Sequence, residues 1–296
     1  MEYNRINVMP ITGTIGAEIT GVDLRNLDAE TITEIRAAFL EHVVVFFRDQ
    51  PLSIEDQKTF TSHFGDFGTE PFVKTMTEHP EVIAVVKEAD EINSINFGGH
   101  WHSDWSFQEA PPMATILHGQ DIPPYGGDTV FANMYLAYET LSAGMKEIID
   151  PLIAIHSARR PYGTGKSILG NKKRKSMTII HSEEAHAEIE HPVVRIHPET
   201  GRKALFVNPV YTLRLKGMSE SDSREILEKL FQHSVKEIFT CRFRWRNNSL
   251  AMWDNRCAMH LALNDYDGFR RALHRTTIAG DRPVGPEKAL VRENVA

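Results

Sequence analysis

Cysteine is nearly absent from this 296-residue chain: Cys241 and Cys257 are the only two, and neither sits in a CxxC or CxxH pattern. A disulfide framework is thereby excluded, a reducing compartment is the natural setting, and both thiols are expected as small buried residues. Long apolar runs are also missing. The run Val43-Val44-Val45-Phe46-Phe47 is far too short to span a bilayer. No surplus of basic charge exists either, since the formal net charge is −7, which argues against nucleic-acid binding through a global positive field. The first residues, Met1-Glu2-Tyr3-Asn4-Arg5, lack the apolar centre of a signal peptide, so the cytoplasm is expected. What remains is an ordinary globular balance, 41% hydrophobic and 25% charged, suited to an enzyme with a small-molecule substrate and no nucleic-acid or membrane partner. Assembly as a homo-oligomer is the expectation.

Segments 6–11 and 16–22 read as short strands, and 28–42 carries a helical stripe of Ile32, Ile35, Phe39 and Leu40. Ser53 can cap a second helix running to Phe64, with Gly65 as its stop. Beyond residue 80 the β signal dominates. Segments 82–86, 114–117, 129–132, 152–157, 193–197, 204–207, 239–245, 249–253 and 271–278 read as strands separated by Gly, Pro, Asn and Asp. One further helix is expected over 219–235, with Ile226, Leu227, Leu230 and Phe231 on one face. Short strands spread over residues 1–296 predict a single domain, a sandwich or barrel carrying helices outside it.

The chemically informative tripeptide is His102-Ser103-Asp104. On a strand, residues two apart share a face, so an imidazole and a carboxylate would converge. His260, at the end of Trp253-Asp254-Asn255-Arg256-Cys257-Ala258-Met259-His260, is the candidate third ligand. Two His and one carboxylate leave adjacent positions open on an octahedral ion, as in Fe(II) oxygenases. On spacing alone, however, such a tripeptide is more often a surface His–Asp hydrogen bond.

Four ordered segments alter that balance: Trp101-His102-Ser103-Asp104, Gly126-Gly127-Asp128-Thr129, Trp253-Asp254-Asn255-Arg256 ending at His260, and Arg270-Arg271-Ala272-Leu273-His274-Arg275. Together they resemble the taurine / 2,4-dichlorophenoxyacetate (TauD/TfdA) dioxygenases, from Gly16 to about Pro283. The resemblance implies a mostly β chain with flanking helices, folded as a double-stranded β-helix (a jelly roll of the clavaminate synthase-like kind). It implies His102, Asp104 and His260 as ligands of Fe(II), with 2-oxoglutarate and O2 consumed and succinate and CO2 released. Thr129 and Arg271 match the residues that hold the distal carboxylate of 2-oxoglutarate, a role that suits a bidentate guanidinium and a donating hydroxyl. The carboxylate at Asp104 implies hydroxylation rather than halogenation.

If 271–275 is extended, Arg275 faces the same side as Arg271. The resemblance implies that Arg275 meets an anionic substrate head, a carboxylate, sulfonate or sulfate; the alternative is pairing with a structural acid such as Asp267. Glu70 and Gly98 stand where the taurine enzyme has a histidine and an asparagine, so Glu70 is expected to repel a second anion and to suit an ammonium group. Tyr162 and Tyr211 match aromatic positions near the substrate.

Other signals carry less. Gly163-Thr164-Gly165-Lys166-Ser167 lacks the first glycine of a P-loop, since position 160 is arginine. The basic run within 166–175 reads as an exposed loop, and His181, His186 and His191, interleaved with glutamates, as charged surface. Two rival functions stay open at this level. One is a zinc hydrolase or lyase on a cupin-like barrel. The other is a non-catalytic small-molecule binding module.

Overall fold

The computed structural model describes residues 3–92, 96–165 and 175–286. The chain opens with strands β1 (Asn7–Pro10) and β2 (Ala17–Thr20), helix α1 (Ala29–His42), strand β3 (Val44–Phe47), helix α2 (Ile54–Ser62) and strand β4 (Ile83–Lys87). Then come β5 (Ala114–Asp121), β6 (Thr129–Asn133), α3 (Met134–Glu139), α4 (Ala143–Ile149), β7 (Ile153–His156) and α5 (Arg159–Tyr162). The last part holds β8 (Ile189–Pro192), β9 (Val194–Ile196), β10 (Lys203–Leu205), β11 (Thr212–Leu215), α6 (Glu220–Ser234), β12 (Thr240–Phe243), β13 (Leu250–Asp254), β14 (Ala258–Ala262) and β15 (Arg271–Ile278). The molecule is mostly β, with few helices.

Five of the described α-helices, α1 to α4 and α6, begin where a side chain can satisfy the free N–H groups of the first turn. Asp28 accepts from Thr31 N at 2.7 Å, Ser53 and Asp56 form a reciprocal capping box, and Ser219 accepts from Asp222 N at 3.1 Å.

A seven-stranded sheet in the order β1-β2-β3-β13-β5-β15-β4 is antiparallel except for the parallel β2–β3 pair. Alternate residues of its strands go to opposite cores. Val45 and Phe47 pack with Ile35, Phe39 and Phe60 of α1 and α2, while Val44 and Phe46 join Phe131, Phe243 and Trp253 on the other side. Burial on both faces explains why residues 43–47 are continuously apolar rather than alternating. On the inner side lies the three-stranded sheet β12-β6-β14. Phe46 stacks on Phe243 at 4.1 Å between ring centres and meets the edge of Phe131 at 5.6 Å, tying the two sheets together. Two smaller sheets, β11-β7-β8 and β10-β9, complete the β structure. No helix among the described residues is long and apolar enough to cross a membrane.

Two expectations are corrected. His191 lies not on a charged surface but buried on β8, where its Nε2–H donates to the Gln108 carbonyl at 2.8 Å and its ring meets Phe206. Its neighbours Glu188 and Glu190 do face outward, each paired with a basic side chain. Strand β14 falls in a segment read only as the tail of a motif, because Ala and Met carry little β-propensity of their own. The basic segment 166–175 lies outside the described residues except for Lys175.

Candidate active site

His260 sits in the middle of β14, and His102 is joined to it as an isolated antiparallel bridge. His102 is not in a strand of its own: after this single bridge the chain enters a turn at Asp104. Convergence of His102 and Asp104 therefore does not come from strand alternation. Trp105, with φ of 46°, takes the left-handed conformation that a bulky residue rarely adopts, and the chain reverses directly after Asp104. His102 Nε2 ends 3.5 Å from Asp104 Oδ1, and ligand atoms of His102, Asp104 and His260 all lie within 4.8 Å of one another.

Each of these side chains is prepared for a cation. His102 Nδ1–H donates to the His100 carbonyl at 2.7 Å, which leaves Nε2 with its lone pair. Burial, with His102 adjacent, pushes the His260 imidazole down to about 3 and so keeps it neutral. Burial opposes the charge of Asp104, yet its surroundings, the Arg275 guanidinium foremost, outweigh that cost and hold the carboxyl well below its usual range. Behind Asp104 runs a fully buried relay. Thr115 Oγ1 donates to Asp104 Oδ2 at 2.7 Å, Asn255 Nδ2 to Thr115 Oγ1 at 2.9 Å, and Trp253 Nε1 to Asn255 Oδ1 at 3.0 Å.

The turn that delivers His260 is locked by charge. Arg256 donates to both carboxylate oxygens of Asp254, at 2.8 and 2.7 Å, and to Glu199 at 2.7 Å. His197, Asp254 and Cys257 form a second group with ligand-like spacing. There, however, His197 Nδ1 accepts from Glu199 N and Thr200 N, so its Nε2 carries the proton donated to Asp254 at 3.0 Å. With Arg256 also on Asp254, this group is an internal ion-pair network rather than a cation site.

Two cavities meet at the triad. The inner one, about 420 Å³, is lined by His102, Asp104 and His260 together with Thr129, Arg271 and Arg275. Arg271 is buried, and its Nε and Nη2 have no hydrogen-bond acceptor among the described residues. Such a guanidinium is a ready receptor for a carboxylate. Thr129 Oγ1 accepts from Trp245 Nε1 at 3.0 Å, so its own hydrogen remains to be donated. Gly127 makes room for this arrangement. Its φ is +67°, and a Cβ there would stand 2.9 Å from Arg271 Nε. Three ligand atoms around one point, and beside them a guanidinium with two nitrogens that lack an acceptor among the described residues, fit Fe(II) with 2-oxoglutarate.

The outer cavity, about 350 Å³, shares Phe97, Gly98, His102 and Asp104 with the inner one and adds Trp105, Tyr162 and Tyr211. Gly98 has φ of +75°, and a Cβ there would lie 3.4 Å from His102 Cε1. Tyr162 and Tyr211 are buried, and Tyr162 stacks on Phe72 at 5.3 Å.

Glu70 is placed differently from its expectation. Its carboxylate is buried and accepts from Trp105 Nε1 at 2.6 Å, Arg275 Nη2 at 2.8 Å and Thr277 Oγ1 at 2.9 Å, and it lines neither cavity. Its oxygens are turned to Trp105, Arg275 and Thr277 rather than to a ligand's ammonium group. The acid that pairs with Arg275 is thus Glu70, with Asp104 Oδ1 at 3.4 Å, whereas Asp267 is taken by Lys87. Trp245, Thr115 and Asn255 were missed by sequence reasoning, because nothing in their local pattern signals a side chain that orients another.

Residues 7–277 match the family described as taurine catabolism dioxygenase TauD, TfdA family. The chain belongs to the TauD/TfdA family. It is 37% identical over 295 residues to an alpha-ketoglutarate-dependent sulfate ester dioxygenase of Pseudomonas putida, covering 97% of this chain and 94% of that protein. An alkylsulfatase of Acinetobacter baylyi is 35% identical, with 95% and 87% covered. Among solved structures, a taurine dioxygenase from Burkholderia xenovorans superposes with a TM-score of 0.81 at 38% identity, covering 96% and 92%. This TauD/TfdA chain is accordingly an Fe(II)- and 2-oxoglutarate-dependent dioxygenase acting on a small molecule. The zinc-hydrolase and binding-module readings fall away.

Proposed function

We propose that this dioxygenase hydroxylates the carbon next to a sulfur oxyanion, in an alkyl sulfate ester or an alkyl sulfonate. The observation that carries this reading is the pair of arginines on one face of β15, Arg271 and Arg275, both lining the inner cavity beside the triad. Four residues of extended chain separate them by roughly 13 Å, enough for two different anions. Arg271, with Thr129, takes the distal carboxylate of 2-oxoglutarate. Arg275, against Asp104, takes the substrate head, and the aromatic outer cavity takes its carbon chain. The similarity to the sulfate ester dioxygenase of Pseudomonas putida and the alkylsulfatase of Acinetobacter baylyi supports sulfate esters over carboxylates.

His102, Asp104 and His260 would hold the iron. When bound with 2-oxoglutarate and O2, it supplies the oxidation of a substrate C–H bond, coupled to release of succinate and CO2. The protein's part is positional. The Thr115–Asn255–Trp253 relay fixes Asp104, Arg271 orients the keto acid, and the aromatic wall keeps water from the reacting carbon. For a primary alkyl sulfate, the hydroxylated carbon carries both OH and OSO3⁻, and loss of sulfate with the hydroxyl proton leaves an aldehyde. The antiparallel sheets facing each other across the site support closure as a double-stranded β-helix. Two free, buried cysteines suit the cytoplasm.

The test is oxygen-dependent succinate release with a homologous series of alkyl sulfates and sulfonates, each compared with its parent alcohol. Stimulation by the anions and not by the alcohols is expected. Stimulation by none of them would overturn the substrate class.

A further inference from the structure

Arg271 and Arg275 share a strand face and are both buried, yet their electrostatic settings are opposite. Arg271 has two guanidinium nitrogens without an acceptor among the described residues. Arg275 is clamped by Glu70 at 2.8 Å and stacks its guanidinium over Trp105 at 4.6 Å. Glu70 in turn receives two further donors, from Trp105 and Thr277, so three side chains drawn from three parts of the chain fix one guanidinium. Burial raises the Glu70 carboxyl above its ordinary value, opposed by Arg275 and by the donors Trp105 and Thr277; one oxygen accepting from both an indole N–H and a guanidinium is the geometry of a carboxylate. A bare guanidinium would draw in any anion, and the more strongly the higher its charge. One already carrying a carboxylate keeps its hydrogen-bond geometry while most of its charge is spent.

We propose that Glu70 is a positioning and specificity-determining residue: it aims Arg275 at the substrate and, by placing a fixed negative charge behind it, restricts the head group to monoanions. Sulfate monoesters and sulfonates are monoanions at every physiological pH. Phosphate monoesters carry about −1.5 to −2 near pH 7 and would meet net repulsion. The inference rests on Arg275 receiving the substrate head, as read above.

The experiment uses the whole enzyme loaded with Fe(II) and 2-oxoglutarate, turning over hexyl sulfate. Hexyl methyl phosphate, a permanent monoanion, and hexyl phosphate, largely a dianion, are compared as competitors. In the native enzyme the monoanion should compete better by at least about tenfold, since a like charge in a confined site is costly. Glu70→Gln can keep the contacts to Trp105, Arg275 and Thr277 while removing the charge. It should narrow that gap severalfold or more and lower the KM for hexyl sulfate, with the KM for 2-oxoglutarate unchanged. Equal competition by the two phosphates in the native enzyme would overturn the proposal, and this comparison needs no variant. So would a gap in Glu70→Gln as wide as in the native enzyme. If hexyl sulfate elicits no succinate and neither phosphate binds, the substrate reading itself has failed and the inference falls with it.

Discussion

His102 and His260 are joined by a reciprocal pair of backbone hydrogen bonds, His102 N to His260 O at 3.1 Å and His260 N to His102 O at 2.8 Å. The two imidazoles therefore leave a single antiparallel bridge, with ring centres 4.2 Å apart. The spacing of the two histidines is set by main-chain geometry, and Asp104 completes the triad through the turn that follows. A site held in this way is stiff before any cation arrives.

Removal of a ligand tests the triad directly. His102→Ala and Asp104→Ala should each abolish succinate formation and Fe(II) binding. Circular dichroism should show the fold retained. Turnover surviving either change would refute the assignment.

The relay behind Asp104 makes a more graded prediction. Thr115→Val deletes the hydroxyl that donates to Asp104 Oδ2 and strands Asn255 Nδ2. Losing an outer hydrogen bond of this kind typically costs about 10- to 100-fold in metal affinity. Fe(II) titration followed by activity should show that loss, with near-native turnover restored at saturating iron.

Gly127→Ala should act on 2-oxoglutarate rather than on iron. The new methyl would press on Arg271 Nε and Cδ, and the residue would have to keep φ of +67°. A stability loss of about 1 kcal/mol or more is expected from the backbone alone. The KM for 2-oxoglutarate should rise while Fe(II) affinity stays. An unchanged KM would show that Arg271 does not hold the keto acid.

His191 predicts a pH dependence of stability. Burial, with Arg195 and Arg282 nearby, pushes its imidazole down to about 4 from the ordinary 6.5, against the opposing hydrogen bond to Gln108. Between those two values the unfolded chain binds more protons than the folded one, so stability rises with pH. The contribution is complete above 6.5 and fades as pH falls towards 4, a swing on the order of 3 kcal/mol. Denaturation midpoints at pH 7 and pH 5 should differ less in His191→Gln than in the native protein.

Much of the frame was legible because it depends on neighbours a few residues apart. Ser53 caps the helix expected from it, the helices expected over 28–42 and 219–235 are present, and strand 271–278 appears with those same ends, because capping and periodicity are local effects. Helices α3 to α5 and strands β8, β11 and β14 are not apparent in the sequence pattern. They are four to seven residues long, too short for a periodic pattern to rise above its surroundings. His191 was misjudged for a related reason: an acidic neighbourhood in sequence says little about which face of a strand turns inward.

By itself the chain determined that three ligand-type residues, a glycine-rich turn and two arginines occur in a fixed order. That order was enough for the reaction class, since each motif carries its chemistry within a few residues. Only the folded molecule decided what Glu70 does, because its partners Trp105, Arg275 and Thr277 lie 35, 205 and 207 residues away. Whether a buried carboxylate faces the ligand or the arginine behind it depends on long-range packing, and no local pattern encodes that choice.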